Sequence, residues 1–168
     1  MSRTQRSDEI RDAFLGELRA QGASVESLSD LAAKEANIAI RGMFSVLGAS
    51  GREVYLVQGV GFINVHVRSE PPGWWNVMKS VKAQFDLLFK RLDLKAYYVF
   101  LVPRKDRQIS GYIATDFSSS PFIRMPAGEE TKFTIKVDDH LNQLKCLVSV
   151  EKIAQALLQS ATVYLNAP

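Results

Sequence analysis

The sequence predicts a single α/β (α+β) domain in which a mixed central sheet is flanked by helices. Three observations predict this class: an amphipathic helical pattern opens the chain, alternating strand patterns follow it, and a long helical pattern leads directly into a continuous apolar run. Patterns in this succession are typical of a sheet with helices packed against its faces. The 168 residues, 46% of them hydrophobic, suit one domain that spans residues 1–168.

Charge and cysteine content narrow the function classes. The 21 basic and 18 acidic residues give a formal charge of +3, which permits a nucleic-acid partner without requiring one. The single cysteine, Cys146, cannot form an internal disulfide, and the sequence lacks the Cys/His cluster of a zinc finger. No apolar run approaches the roughly 18 residues of a membrane span, and the polar first residues lack a signal-peptide core. We therefore expect a cytoplasmic protein with no membrane contact.

Two helices are predicted at the start of the chain. Ser7 is a favourable N-cap, acidic residues follow it, and apolar residues recur at helical spacing until Gly22. A shorter helix is predicted after Ser27, where Asp30 completes a capping-box-like arrangement, and it is expected to end near Ala36.

Strand patterns begin at Asn37, where alternating apolar residues up to Val46 indicate an extended segment that is interrupted at Gly42. Val54–Gln58 and Phe62–Arg68 are predicted to form a hairpin or a bulged meander, because a glycine-containing turn separates them. Side chains alternate along a strand, so the second of these strands is expected to have one core face and one polar face. The core face comprises Ile63, Val65 and Val67, and the polar face comprises Phe62, Asn64, His66 and Arg68.

A long helix is predicted to begin near Trp74, after the turn at 71–73, and to continue to Leu92. Of Trp74 and Trp75, one is expected in the core and the other at the surface. The run Ala96–Val102 (AYYVFLV) is typical of a strand buried on both faces, so we expect it to be the central strand, parallel to Phe62–Arg68 in a right-handed βαβ unit. Further strands are predicted over Ile109–Thr115 and Lys132–Val137, and a terminal helix is predicted after Ser149.

This order of elements and the stretch INVHVRSEPPGWWNVMKSVKAQFDLLF resemble the PD-(D/E)XK restriction-endonuclease-like superfamily, over roughly residues 8 to 116. In that family a carboxylate and a lysine, two residues apart on one strand, hold Mg²⁺ and orient water or neutralise the developing charge. The resemblance therefore implies a restriction-endonuclease-like core. If the chain is active, it also implies a metal-dependent phosphodiesterase that uses Mg²⁺.

The resemblance also implies which residues occupy the catalytic positions. The strand positions match His66 and Arg68, and the upstream metal-binding aspartate falls near Asn37, or near Glu53 if the hairpin is the matching one. A lysine or an acid from the following helix replaces the strand residue in some members, and many members carry a glutamine there. The implied catalytic set is therefore Glu53, His66, Arg68, Lys82 and Gln84, with Lys79 as a further helix candidate.

These residues depart from the chemistry of the family. Histidine is a poor ligand for the hard Mg²⁺ ion, and arginine stays protonated and cannot act as a base. We therefore expect little or no Mg²⁺-dependent phosphodiester cleavage. The planar fork of an arginine and the flat ring of a tryptophan nevertheless suit nucleic acid. The expected nucleic-acid set is Asn64, Arg68, Trp74, Lys79 and Lys82, with Lys82 at the rim of the long helix.

Two further clusters favour structural roles. The adjacent side chains of Asp138–His140 seldom converge on one ion, so a helix N-cap is the preferred interpretation. Ser118–Ser120 has neither a G-x-S-x-G frame nor a GK[ST] loop, and is predicted to be a loop.

Three functions remain open from the sequence. The first is a DNA-binding protein on an endonuclease-like scaffold whose active site has degenerated or migrated. The second is a non-enzymatic interaction subunit, immunity protein or inhibitor that binds a protein partner or a second copy of itself. The third is an active metal-dependent DNA nuclease with unusual ligands.

Overall fold

The computed structural model describes residues 2–34, 41–42, 45, 47, 53–71, 73–93, 95–104, 106–114, 123–124, 132–136 and 148–159. The candidates Asn37, Ser118–Ser120, Asp138–His140 and Cys146 lie outside these ranges. In chain order the elements are α1 (Arg3–Ala20), β1 (Val25–Ser27), α2 (Leu28–Ala33), β2 (Val54–Val57), β3 (Gly61–Val67), β4 (Trp74–Met78), α3 (Lys79–Leu92), β5 (Ala96–Pro103), β6 (Ile109–Ala114), β7 (Ile123–Arg124), β8 (Lys132–Lys136), β9 (Val148–Ser149) and α4 (Val150–Leu158).

The main sheet, as far as the described residues define it, has six strands in the order β1-β2-β3-β5-β6-β9. Strands β3 and β5 are parallel, and the other neighbouring pairs are antiparallel. The predicted hairpin is therefore confirmed, as is the prediction that Ala96–Val102 is an interior strand beside Phe62–Arg68. The continuous apolar run is explained by burial on both faces, because Tyr97 to Val102 are each at most 2% exposed.

A second sheet has the order β4-β8-β7, with antiparallel pairing. The predicted helix start near Trp74 is wrong, because β4 occupies these residues and α3 begins only at Lys79. Burial alternates along β4 with the period of a strand, so that Trp75 and Val77 are buried whereas Trp74 is exposed. The prediction of one buried and one exposed tryptophan is confirmed.

Both faces of the main sheet are covered. Helices α1 and α4 supply one core cluster around Phe14, and α3 and the second sheet supply the other around Phe85. The predicted polar face of β3 is therefore wrong along most of its length. Phe62 and Asn64 on this face are each 2% exposed, because α3 and β4 lie over them.

Side-chain caps define the ends of the helices. Helix α1 begins earlier than predicted, since Ser2 is its N-cap in a capping box and Ser7 lies inside the helix. Ser27 and Ser149 cap α2 and α4 by accepting a backbone hydrogen bond, as predicted.

The segment between Asn37 and Val46 contains helical residues. Arg41, Gly42 and Ser45 are helical, so the extended segment predicted here is wrong where the structure describes it. A short alternating apolar pattern does not distinguish a strand from a helix, because only length and flanking residues separate the two.

Two glycines allow neighbouring strands to approach closely. A Cβ on Gly111 would lie 1.8 Å from the carbonyl oxygen of Phe100. Gly61 has a φ of +144°, and a Cβ there would lie 2.4 Å from the carbonyl oxygen of Lys95. A side chain at either position would collide with backbone, so glycine is required where β3, β5 and β6 meet.

Candidate functional site

His66 lies on β3, on the face that α3 and β4 cover. Its ring stacks on Phe100 with centroids 5.3 Å apart and lies 6.3 Å from the ring of Tyr98. Burial, and secondarily the positive charge of Arg11, lowers the pKa of His66 to about 4. The imidazole is therefore neutral at neutral pH.

Glu53 stands immediately before β2 and forms an ion pair with α1. Its Oε2 lies 2.6 Å from Nη2 of Arg11, and Nη1 of the same arginine donates a hydrogen bond of 2.9 Å to Oδ1 of Asp8. Burial raises the pKa of Glu53, and the charge of Arg11 opposes this effect. The carboxylate of Glu53 is paired with Arg11, whereas the ring of His66 stacks on Phe100, and the charge of Arg11 acts on the pKa of both residues. The two predicted catalytic residues therefore have different partners.

Several buried polar atoms without a hydrogen-bond partner lie in this region. Among the described residues, these atoms are Nε of Arg11, Oε2 of Glu53, Oδ1 of Asn64 and Nε2 of His66. Of these atoms, Oε2 of Glu53 has an ion-pair partner, because it lies 2.6 Å from Nη2 of Arg11. Buried atoms of this kind are uncommon in folded proteins and call for a functional or structural explanation. Here they mark the positions that the sequence assigned to catalysis and their neighbours.

Lys82 is part of a partly buried polar cluster between α3 and the main sheet. The residue is only 8% exposed, and its ammonium forms an ion pair with Asp86 one helical turn later. The hydroxyl of Tyr98 donates a hydrogen bond of 2.6 Å to the same carboxylate, and the ammonium lies 5.8 Å from the centroid of the Tyr98 ring. The prediction that Lys82 emerges at the rim of the helix is wrong, because Asp86 and Tyr98 hold it against the sheet.

Arg68 and Trp74 form a contact at the surface, which we call the stacking pair. The guanidinium carbon of Arg68 lies 5.1 Å from the centroid of the Trp74 ring, and Trp74 is 37% exposed. Nε of Arg68 donates a hydrogen bond of 3.1 Å to the carbonyl of Glu70, and Nη1 donates one of 3.4 Å to the carbonyl of Trp74. These bonds fix the guanidinium beside the ring.

An open depression of about 250 Å³ lies beside the stacking pair, and we call it the arginine hollow. It is formed where the first turns of α1 meet the end of β3 and the turn that follows. Arg6 forms an ion pair of 2.9 Å with Glu70, which compensates the one carboxylate of the lining. The lining consists of Arg3, Ser7, Val67, Arg68, Ser69, Glu70 and Pro71.

The remaining candidates lie in different surroundings. Asn64 is 2% exposed and lies beneath the surface to which the sequence assigned it. The ammonium of Lys79 lies 5.4 Å from the centroid of the Phe133 ring, and Gln84 is exposed on α3. Of the predicted nucleic-acid set, Arg68 and Trp74 are therefore the two that the structure brings into contact.

Sequence reasoning missed three residues of the site. Asp86 follows Lys82 at the i+4 spacing of a helical ion pair, and this spacing could have identified it. Arg11 and Tyr98 join the site through tertiary contacts between α1, the sheet and α3, which no local pattern encodes.

No protein-family model, curated protein or solved structure matches this chain. Within the described ranges, no three or more His, Cys, Asp or Glu side chains are grouped as they would be around a metal ion. None of the helices in those ranges is long and apolar enough to cross a membrane.

Proposed function

We propose that this chain binds nucleic acid on a restriction-endonuclease-like scaffold whose catalytic positions have lost their metal chemistry. The order of elements supports the scaffold. Strands β1, β2 and β3 are successive antiparallel neighbours, and α3 then leads to β5, which is parallel to β3. A helix precedes this unit, as the resemblance implies.

The stacking pair beside the arginine hollow is the observation that carries the proposal. Arg68 follows His66 by two residues, so the cationic surface begins at the end of the strand that bears the catalytic positions. Arg3 and Arg68 line the hollow, and its one carboxylate, that of Glu70, forms an ion pair with Arg6. Guanidinium groups bind phosphate oxygens through paired hydrogen bonds, and an exposed tryptophan offers a flat apolar face to a base.

The residues at the catalytic positions do not fit Mg²⁺. This ion prefers anionic oxygen ligands in octahedral geometry. Here the carboxylate of Glu53 is paired with Arg11, and the matching strand position carries the uncharged ring of His66. The donor set therefore lacks the negative charge that the metal requires, and no step of a reaction is assigned to Mg²⁺.

Binding and cleavage assays with purified protein test the proposal. We expect the wild type to bind labelled DNA at low salt, to lose affinity steeply between about 50 and 200 mM salt, and to leave plasmid DNA intact with Mg²⁺. Arg68→Ala should weaken binding, whereas Lys152→Ala, which removes an exposed cation from α4, should not. Absence of binding at low salt would contradict the proposal. Robust cleavage that His66→Ala abolishes would favour the active nuclease instead.

A protein partner is the second candidate function, and exposed apolar side chains favour it. Among the described residues, the exposed large hydrophobic side chains are Trp74 at 37%, Met78 at 49% and Leu87 at 49%. Trp74 and Met78 lie on the same side of β4. Concentration-dependent self-association that Met78→Glu abolishes, in a protein that binds no nucleic acid, would support this candidate over the first.

A further inference from the structure

We infer that the nucleic acid bound at this surface is single-stranded, with one base on the stacking pair and the adjoining phosphate in the arginine hollow. This inference rests on the function proposed above and adds the class of substrate.

The outer side of β4 resembles a stacking platform. Burial alternates along the strand, so that Trp74, Asn76 and Met78 are exposed on one side and the residues between them are buried. Successive exposed residues on a strand are about 7 Å apart, because each residue advances roughly 3.3 Å. Next to the stacking pair on this side, Oδ1 of Asn76 accepts a hydrogen bond of 3.0 Å from the hydroxyl of Thr134, and Met78 follows it.

The stacking pair can hold a base only if the face of that base is free. Proteins stack unpaired bases on aromatic rings and on the planes of arginine guanidinium groups. In a duplex each base face is already covered by its neighbours, and exposing one requires unstacking of a base step. The pair formed by Arg68 and Trp74 therefore contributes to binding a single strand but not to binding an undistorted duplex.

The size and position of the arginine hollow match one unit of a polymer. Its volume of about 250 Å³ is below the roughly 300–1,000 Å³ of pockets that enclose a whole small molecule. It is open to solvent and borders the stacking pair through Arg68, which belongs to both. Arg68 would thus contact both parts of one nucleotide: the base through the plane of its guanidinium, and the phosphate through its N–H groups.

Three probes of one length separate the contributions of base and phosphate: a labelled single strand, its duplex, and an abasic strand with the same phosphates. We expect the wild type to bind the single strand more tightly than the duplex, and the abasic strand roughly 5- to 100-fold more weakly than the single strand. Trp74→Ala should lose a factor of this size for the single strand and none for the abasic strand. Trp74→Phe should retain most of the affinity, and Leu87→Ala, which removes an apolar side chain of similar exposure from α3, should match the wild type.

Tryptophan fluorescence gives a second measurement. The single strand should quench the emission of the wild type, and Trp74→Phe should lose most of this quenching because Trp75 is buried. Equal affinity for the single strand and the duplex, or no loss on removal of the bases, would overturn the inference but leave the proposed function intact. Failure of all three probes to bind at low salt would overturn both.

Discussion

Acid should destabilise the folded protein through His66, and the size of the effect follows from its burial. Burial lowers the pKa of His66 from 6.5 to about 4 in the folded state, whereas the unfolded chain keeps the ordinary value. The unfolded state therefore binds the proton first, so the stability present above about pH 6.5 is lost as the pH falls toward 4. At about pH 5 the loss is about 2 kcal/mol, because the unfolded histidine is then almost fully protonated and the folded one hardly at all.

Urea unfolding of the wild type and of His66→Phe at several pH values measures this effect. Phenylalanine keeps an aromatic ring against Phe100 but has no titratable group. The raised pKa of Glu53 acts in the opposite direction, stabilising the fold as the pH falls, but it is present in both proteins and cancels in their difference. We expect the difference in unfolding free energy between the two proteins to change by about 2 kcal/mol from neutral pH to about pH 5. A difference that stays constant over this range would refute the assignment of a buried neutral histidine.

Three substitutions test the packing around the site, each by urea or thermal unfolding. Gly111→Ala should lower the free energy of unfolding by at least about 3 kcal/mol or prevent folding, because its Cβ would overlap a backbone carbonyl. Gly16→Ala, on the exposed side of α1, should raise the free energy of unfolding by about 0.5–1 kcal/mol. Equal effects of the two substitutions would contradict the close approach of β5 and β6. Asp86→Ala should lower the free energy of unfolding by about 1–3 kcal/mol, because it removes the ion pair of the buried Lys82 ammonium. Adding Lys82→Met should restore much of this loss. An Asp86→Ala variant as stable as the wild type would argue against the cluster. Val99→Asp should abolish folding, since an unpaired charge in the interior strand costs several kcal/mol, and a soluble variant that melts cooperatively would count against the assignment of β5 as interior.

The arrangement around β3 and β5 could be predicted because it depends on local patterns. Six successive residues buried on both faces must all be apolar, so the run from Tyr97 to Val102 identifies an interior strand. The start of the following helix could not be located in the same way. Trp75 and Met78 fit a helical spacing with the residues of α3, and only pairing with the distant strand β8 makes them a strand.

The sequence positions of the candidate residues could be predicted, but the burial and the ion pairing of their side chains could not. The sequence places His66 and Arg68 on one strand, two residues apart. In the structure His66 lies in β3, whereas Arg68 follows the last residue of this strand, Val67. The sequence does not encode that α3 and β4 cover His66, or that Arg11 of α1 neutralises Glu53. Both are tertiary contacts that no local pattern encodes, so burial and ion pairing changed the chemistry expected from the residue types alone.

The salt dependence of DNA binding tests the central claim most directly. Each phosphate contact that is lost should reduce the slope of log K against log salt by roughly one unit, independently of base sequence. We therefore predict that Arg3→Ala/Arg68→Ala, measured by fluorescence anisotropy against the same labelled strand as the wild type, reduces this slope by roughly 0.7 to 1 unit, as expected for the loss of the one phosphate in the arginine hollow, whereas Lys152→Ala leaves it unchanged. A double variant with the affinity and slope of the wild type would show that the arginine hollow does not contact nucleic acid, and would contradict the account.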